Sequence, residues 1–264
     1  MARTKQLIVT TTYSRDVKTD HRFPLNQMMC LTATAFGYPV IDIDDSPDPE
    51  VARLLQEAGA LVRKQREPGT GASRRECLSA GLDFEGPFGD VISWADVISW
   101  IEPEKFGMIP YLDVCGEMVM QGADIVIPWR RRLCADYPEY QAMSEMAANL
   151  EMAQITGRNL DLMCGPRIMS RRGAEILLSY KGRSRVNPDV IYDDNWGIIF
   201  VPILWALRDG LTVVSCTVDY IHPAIQTRIE GADPEMDRKR DLQRMALVAA
   251  MRREAELIGL KPAA

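Results

Sequence analysis

Along the first hundred residues, short β-branched apolar runs alternate with longer stretches of helical period, the pattern of βα units around a mostly parallel sheet. Residues 7–12 predict the first strand. Residues 24–36 predict a helix, because Leu25, Met28, Met29 and Leu31 fall near a 3.6 period and Gly37 follows as a stop. A second strand at 39–43 leads through an acidic turn into a helix carrying Val51, Leu54, Leu55 and Ala58, with Asp45 or Ser46 as its cap and Gly59 as its end. A third strand at 60–63 precedes a glycine-containing turn, 66–75, that opens a helix through Cys77, Leu78 and Ala80. A fourth strand, 96–101, runs into Glu102-Pro-Glu-Lys105, and its start repeats Asp90-Val-Ile-Ser-Trp94 as Asp96-Val-Ile-Ser-Trp100, an echo too short to be a structural repeat.

The second half predicts a helix over 109–121, a strand at 123–128 running into Trp129 and Arg130 to Arg132, and a Met-, Ala- and Glu-rich helix over 138–156 stopped by Gly157. A helix near 173–180, an acidic turn at 192–196, an apolar helix over 198–207 and a strand at 211–218 follow. Residues 234–260 alternate charged and apolar positions at helical spacing, which predicts a solvated amphipathic helix folded back on the body.

With 264 residues, 47% hydrophobic and 26% charged, the chain is long enough to fold by burial alone, and no linker divides it. The expectation is one α/β domain: a nucleotide-binding half over about 1–105, an acceptor-side half over about 106–230, and the helix at 234–260. A formal net charge of -6 excludes a global electrostatic grip on nucleic acid or anionic lipid. The six cysteines have no C-x-x-C spacing and read as buried, reduced thiols, and no apolar run is long enough to span a bilayer. A soluble, cytoplasmic protein is expected, and the segment from Met143 to Met152 suits a helix–helix contact within the fold or in a homodimer.

Ligands of open α/β sheets bind beyond the carboxyl ends of the strands. Three polar clusters fall there. The carboxylates of Asp42, Asp44 and Asp45 suit a ribose or base, or merely cap a helix. Gly69-Thr-Gly71 with Arg74 and Arg75 suits a phosphate, or is an ordinary turn. Glu102-Pro-Glu104 offers hard oxygen ligands to a divalent cation, or is a helix start with acids in its first turn. Only two histidines exist, so a multi-histidine site is excluded; His222 could complete a carboxylate metal site or be structural, and His21 has no evident partner. Trp196 is a candidate sugar platform, Trp205 a candidate core residue, and Arg130 to Arg132 could meet an anionic acceptor. Signatures of P-loop, dinucleotide-binding and nucleophile-elbow enzymes are missing.

In order, Thr10-Thr-Thr-Tyr-Ser14, Asp42-Ile-Asp-Asp-Ser-Pro-Asp48, Gly69-Thr-Gly-Ala-Ser-Arg-Arg75, the acidic pair, Asp161-Leu-Met-Cys-Gly-Pro-Arg167 and Asp193-Asp-Asn-Trp-Gly197 resemble the GT-A nucleotide-sugar glycosyltransferases. The likeness is closest to the family 2 type and its relatives that make glucosyl- or mannosyl-glycerate compounds. The resemblance implies a three-layer α/β fold with helices on both faces of the sheet. It implies transfer of a sugar from a nucleoside-diphosphate donor to an acceptor hydroxyl with Mg²⁺ or Mn²⁺. Thr11, Tyr13 and Asp44 or Asp45 would hold the nucleoside; Gly71 and Arg74 would lie near the base or diphosphate. Glu102 and Glu104 would stand at the family's Asp-x-Asp motif with His222 completing the metal site. Gly165 and Arg167 would border donor sugar or acceptor, and Asp194 or Asp193 would be the general base of an inverting enzyme. Competing readings are a degenerate relative that binds nucleotide or a protein, and a sugar-phosphate nucleotidyltransferase, whose glycine-rich loop after the first strand is missing here.

Overall fold

The computed structural model describes residues 5–85, 95–231 and 234–260. The Asp90-to-Trp94 copy of the echo lies outside the described residues. Among these, the strands are β1 (Gln6–Thr12), β2 (Val40–Asp44), β3 (Ala60–Lys64), β4 (Val97–Trp100), β5 (Ile125–Arg130), β6 (Arg167–Met169) and β7 (Val213–Val218). They form one sheet in the order β3-β2-β1-β4-β6-β5-β7. Every pairing is parallel except those of β6, which runs antiparallel to β4 and β5.

The helices are α1 (Phe23–Ala35), α2 (Pro49–Glu57), α3 (Thr70–Leu82), α4 (Leu112–Met120), α5 (Leu133–Asp136), α6 (Glu139–Thr156), α7 (Arg171–Leu178), α8 (Asp194–Gly197), α9 (Val201–Arg208), α10 (Ala224–Glu230) and α11 (Pro234–Ile258). A two-residue period decides which layer each strand residue feeds. Leu7 and Val9 enter the core under α3, α7, α9 and α11, whereas Ile8 enters the opposite core with residues of α1, α2 and α4. Both faces of the sheet are therefore covered, which is why β2 is buried along its whole length.

Several boundaries differ from the sequence reading, each for a local reason. The helix expected over 109–121 starts as a 3-10 stretch, Pro103–Tyr111, and becomes α-helical only at Leu112, because Pro110 has no N–H to give to an i−4 carbonyl. The cap of α2 is Asp48, whose side chain accepts from Glu50 N at 3.0 Å, rather than Asp45 or Ser46. The apolar helix expected over 198–207 begins only at Val201, as α9 with Pro202 in its first turn, and 198–200 form a turn between α8 and α9. Cys134 is exposed, and the other five cysteines are buried free thiols. α11 is not merely solvated: Leu247, Val248, Met251, Ala255 and Ile258 join the core, while Met143 and Leu150 of α6 lie on the surface. No helix among the described residues is long and apolar enough to cross a membrane.

Candidate active site

The carboxyl ends of β1, β2 and β4 meet at one rim of the sheet, where the parallel register sets Thr11 beside Ile43 and Thr12 beside Asp44. Thr11 is half-buried and Tyr13 exposed. Asp44 is buried and accepts from Ser46 N at 3.0 Å, whereas Asp45 reaches solvent and pairs with Lys64 at 3.4 Å. Below them, Asp42 is fully buried, with Thr12 Oγ1 donating to one carboxylate oxygen at 2.7 Å. Burial pushes this carboxyl up to about 7, against the Thr12 hydrogen bond and with help from the Asp44 charge. Asp42 therefore belongs to the foundation of the rim.

β4 delivers Glu102 and Glu104 to a cavity of about 530 Å³, whose lining includes His222, Lys105, Gly165 and Trp196. Side chains 118 and 120 positions apart thus line one cavity. Glu102 rests on Gly165: at φ +88 a Cβ there would be strained and would collide with the carboxylate. Burial pushes the Glu102 carboxyl up to about 7, the neighbouring Glu104 adds to this, and Lys105, Arg74 and Arg167 act in the opposite sense.

His222 is 3% exposed and stacks on Tyr137 with ring centres 4.0 Å apart. Tyr220 donates its hydroxyl proton to the Glu104 carbonyl at 3.1 Å and lies 3.0 Å from His222 Nδ1. A ring that donates Nδ1–H to this hydroxyl carries its lone pair on Nε2, a form in which it could ligate a cation. Among the described residues no three His, Cys, Asp or Glu side chains stand close enough to hold a metal together. The donor types nevertheless fit a hard divalent cation, which takes one or two carboxylates and completes its shell with water and phosphate oxygens.

Arg74 is buried between two indoles, its guanidinium carbon 4.9 Å from the centre of Trp100 and 4.4 Å from that of Trp196. It donates to the carbonyl of Asn195, and its Nε has no hydrogen-bond partner among the described residues. Trp196 is thus half-buried over Arg74 with one side on the cavity. Trp205 is in the core and donates its indole N–H to Glu254 at 2.6 Å.

The acidic turn is fully engaged. Asp193 caps α8 by accepting from Asn195 N at 3.2 Å and Trp196 N at 2.8 Å. Asp194 receives both Nη atoms of Arg75, at 2.6 and 2.9 Å, and seats itself against Gly71, where a Cβ would collide with its backbone and carboxylate. Arg167 reaches no solvent; it donates to the carbonyls of Leu162, Gly165, Pro166 and Ile199 at 2.9 to 3.3 Å, and so fixes the loop that carries Gly165.

Of the expected basic cluster, Arg130 is buried and bonded to Asp161 and Glu145, and Arg132 pairs with Asp136. The cations lining the cavity come instead from α11, as Lys239, Arg240 and Arg244, and from Arg22. Sequence reasoning missed these and Lys105; the only signal was their position beside an acidic motif or on an amphipathic helix.

No protein-family model matches the chain, and no curated protein matches it in sequence. Solved structures do. Glucosyl-3-phosphoglycerate synthase from Mycobacterium tuberculosis, bound to Mn²⁺, uridine diphosphate and glucosyl-3-phosphoglycerate, superposes with a TM-score of 0.57 at 16% identity over 95% of this chain and 80% of that one. The same enzyme with Mn²⁺, UDP-glucose and glycerol 3-phosphate gives 0.56 at 16% identity, covering 95% and 80%. A mycobacterial protein gives 0.57 at 18% identity, covering 95% of this chain and 75% of that one. A likeness this distant in sequence speaks to architecture: the chain has the GT-A fold of nucleotide-sugar glycosyltransferases.

Proposed function

We propose that the protein transfers a sugar from a nucleoside-diphosphate donor to an acceptor hydroxyl, assisted by a divalent cation. The observation that carries this reading is the convergence of Glu102, Glu104 and His222 on one cavity at the carboxyl ends of the strands. In this reading the rim residues Thr11, Tyr13, Asp44 and Asp45 hold the nucleoside, and Arg74 lies near the base or diphosphate, while the space at Gly71 is taken by Asp194. Glu102, Glu104 and His222 would supply the ligands of Mn²⁺ or Mg²⁺. When bound, such a cation stabilises the charge that develops on the leaving diphosphate.

In the reaction, the bond from the anomeric carbon to the diphosphate oxygen breaks and its electron pair leaves with the diphosphate. The acceptor oxygen bonds to that carbon and its proton passes to a base or to water. Gly165 borders the reacting sugar, with Arg167 holding its loop from beneath. Lys239, Arg240 and Arg244 favour an acceptor that carries a phosphate or carboxylate, the class of acceptor seen in the similar solved structures.

The second reading, a nucleotide-binding protein without turnover, is favoured by one observation: Asp193 and Asp194 are committed to a helix cap and to Arg75. A panel of nucleotide sugars with anionic acceptors, followed by released nucleoside diphosphate, separates the two. Turnover is expected to fall by about a hundredfold or more in Glu104→Gln, because metal stabilisation is worth several kcal/mol. Nucleotide binding with no turnover on any donor supports the second reading and rejects the first.

A further inference from the structure

Lys105 is placed unusually for a lysine. It is 7% exposed, lines the cavity, and its ammonium sits 4.9 and 5.7 Å from the ring centres of Tyr137 and Tyr220. Its hydrogen bond to a described residue is a donation to Tyr137 Oη at 2.6 Å. No carboxylate among the described residues stands within the 4.0 Å of an ion pair, so two of its three N–H groups are not committed to a described residue.

Buried charges are ordinarily paired, because removing an ion from water costs several kcal/mol. Here the cation is held charged by its surroundings. Burial works against the ammonium, and the hydrogen bond to Tyr137 Oη and the faces of the Tyr137 and Tyr220 rings work in its favour. Glu102 and Glu104 by themselves would repel a phosphate. Lys105 and Arg74 balance them, so the pocket can accept an anion before any metal arrives.

We propose that Lys105 is a phosphate-binding residue of this site, its two remaining N–H groups directed at oxygens of the donor's diphosphate. This rests on the reading of the cavity as a nucleotide-sugar site. It adds to that reading that part of the diphosphate charge is met by the protein itself, so binding persists without a divalent cation.

The test is calorimetry on the whole chain with inorganic pyrophosphate, uridine diphosphate and uridine, each in EDTA and in Mn²⁺. Wild-type protein is expected to bind pyrophosphate and uridine diphosphate in EDTA. Lys105→Met, which keeps the length and loses the charge, should bind both about tenfold to a hundredfold more weakly, and uridine unchanged, since the lost bonds are charge-assisted. Equal affinity of Lys105→Met and wild type for pyrophosphate in EDTA overturns the proposal, as does wild-type protein that binds no phosphate ligand without Mn²⁺. The second outcome needs no variant, so it decides the matter even if Lys105→Met does not fold. Pyrophosphate binding that depends on Lys105, with uridine diphosphate no better than pyrophosphate and uridine not bound, supports the lysine's role while rejecting the nucleotide reading.

Discussion

Gly71 shows how much a single missing carbon can matter. α8 approaches the first turn of α3 so closely that the backbone oxygen and carboxylate of Asp194 fill the space a side chain would need. The obstacle is partly backbone, so it cannot rotate away. Gly71→Ala is expected to destabilise the fold by about 2 kcal/mol, the usual cost of forcing extra volume into a packed contact. Thermal unfolding would show this as a fall of several degrees, at about 2–4 °C per kcal/mol for a chain of this size. An unchanged melting temperature would mean that α8 shifts freely. In the sequence, Gly69-Thr-Gly71 suggested a close backbone approach by a phosphate; the approach is real, but what fills it is the chain's own acidic turn. Spacing along a chain reveals that a position must be small, not which neighbour makes it so.

Arg130 ties three elements together. Its guanidinium, at the end of β5, donates to Asp161 at 2.8 Å and to Glu145 of α6 at 2.7 Å; Glu145 lies 3.7 Å from Arg244 of α11. All four side chains are buried. Arg130→Met keeps much of the volume but strands two buried carboxylates, so a loss of about 3–5 kcal/mol in denaturant unfolding is expected; a loss below about 1 kcal/mol would show that Arg244 alone satisfies them. Because Gln141, Glu145 and Arg244 also line the cavity, this tie holds α11 in place as its wall.

Long elements such as α1, α3 and α6 were legible in the sequence from their helix-forming runs and, for α1 and α6, the glycine that follows, but not which residues they bury: Met28 and Leu31 of α1 and Met143 and Leu150 of α6 are exposed. β6 was not legible. It has three residues, begins with Arg167, and exists because β4 and β5 leave a gap for it; nothing within three residues announces a strand. The cavity-facing cations of α11 escaped for a related reason: on an amphipathic helix the same residues would serve equally well in solvent.

At the scale of the whole molecule, the sheet's two-sided core buries Asp42, and this leaves a signature in the pH dependence of stability. Its folded value is near 7 against an ordinary value of 3.8, so between these pH values the folded chain holds a proton that the unfolded chain has released. Its contribution to stability is therefore complete below about pH 4, declines as pH rises towards 7, and is lost above it, a change on the order of 4 kcal/mol at about 1.4 kcal/mol per unit. Asp42→Asn keeps the shape and removes the proton. It should become more stable than wild type as pH rises from 5 to 8, by denaturant unfolding; a constant difference across that range would show that the buried carboxyl titrates normally.

The reversed direction of β6 has a consequence for what the rim can contain. Parallel neighbours finish at the ligand end, so the chain entering each of them arrives at the far side. A strand laid the other way starts at the ligand end, and its incoming loop is delivered there. That is how residues 162–166 come to lie under Glu102 with Gly165 against its carboxylate. One inverted strand thus gives the rim a floor segment that an all-parallel arrangement would have carried to the opposite edge.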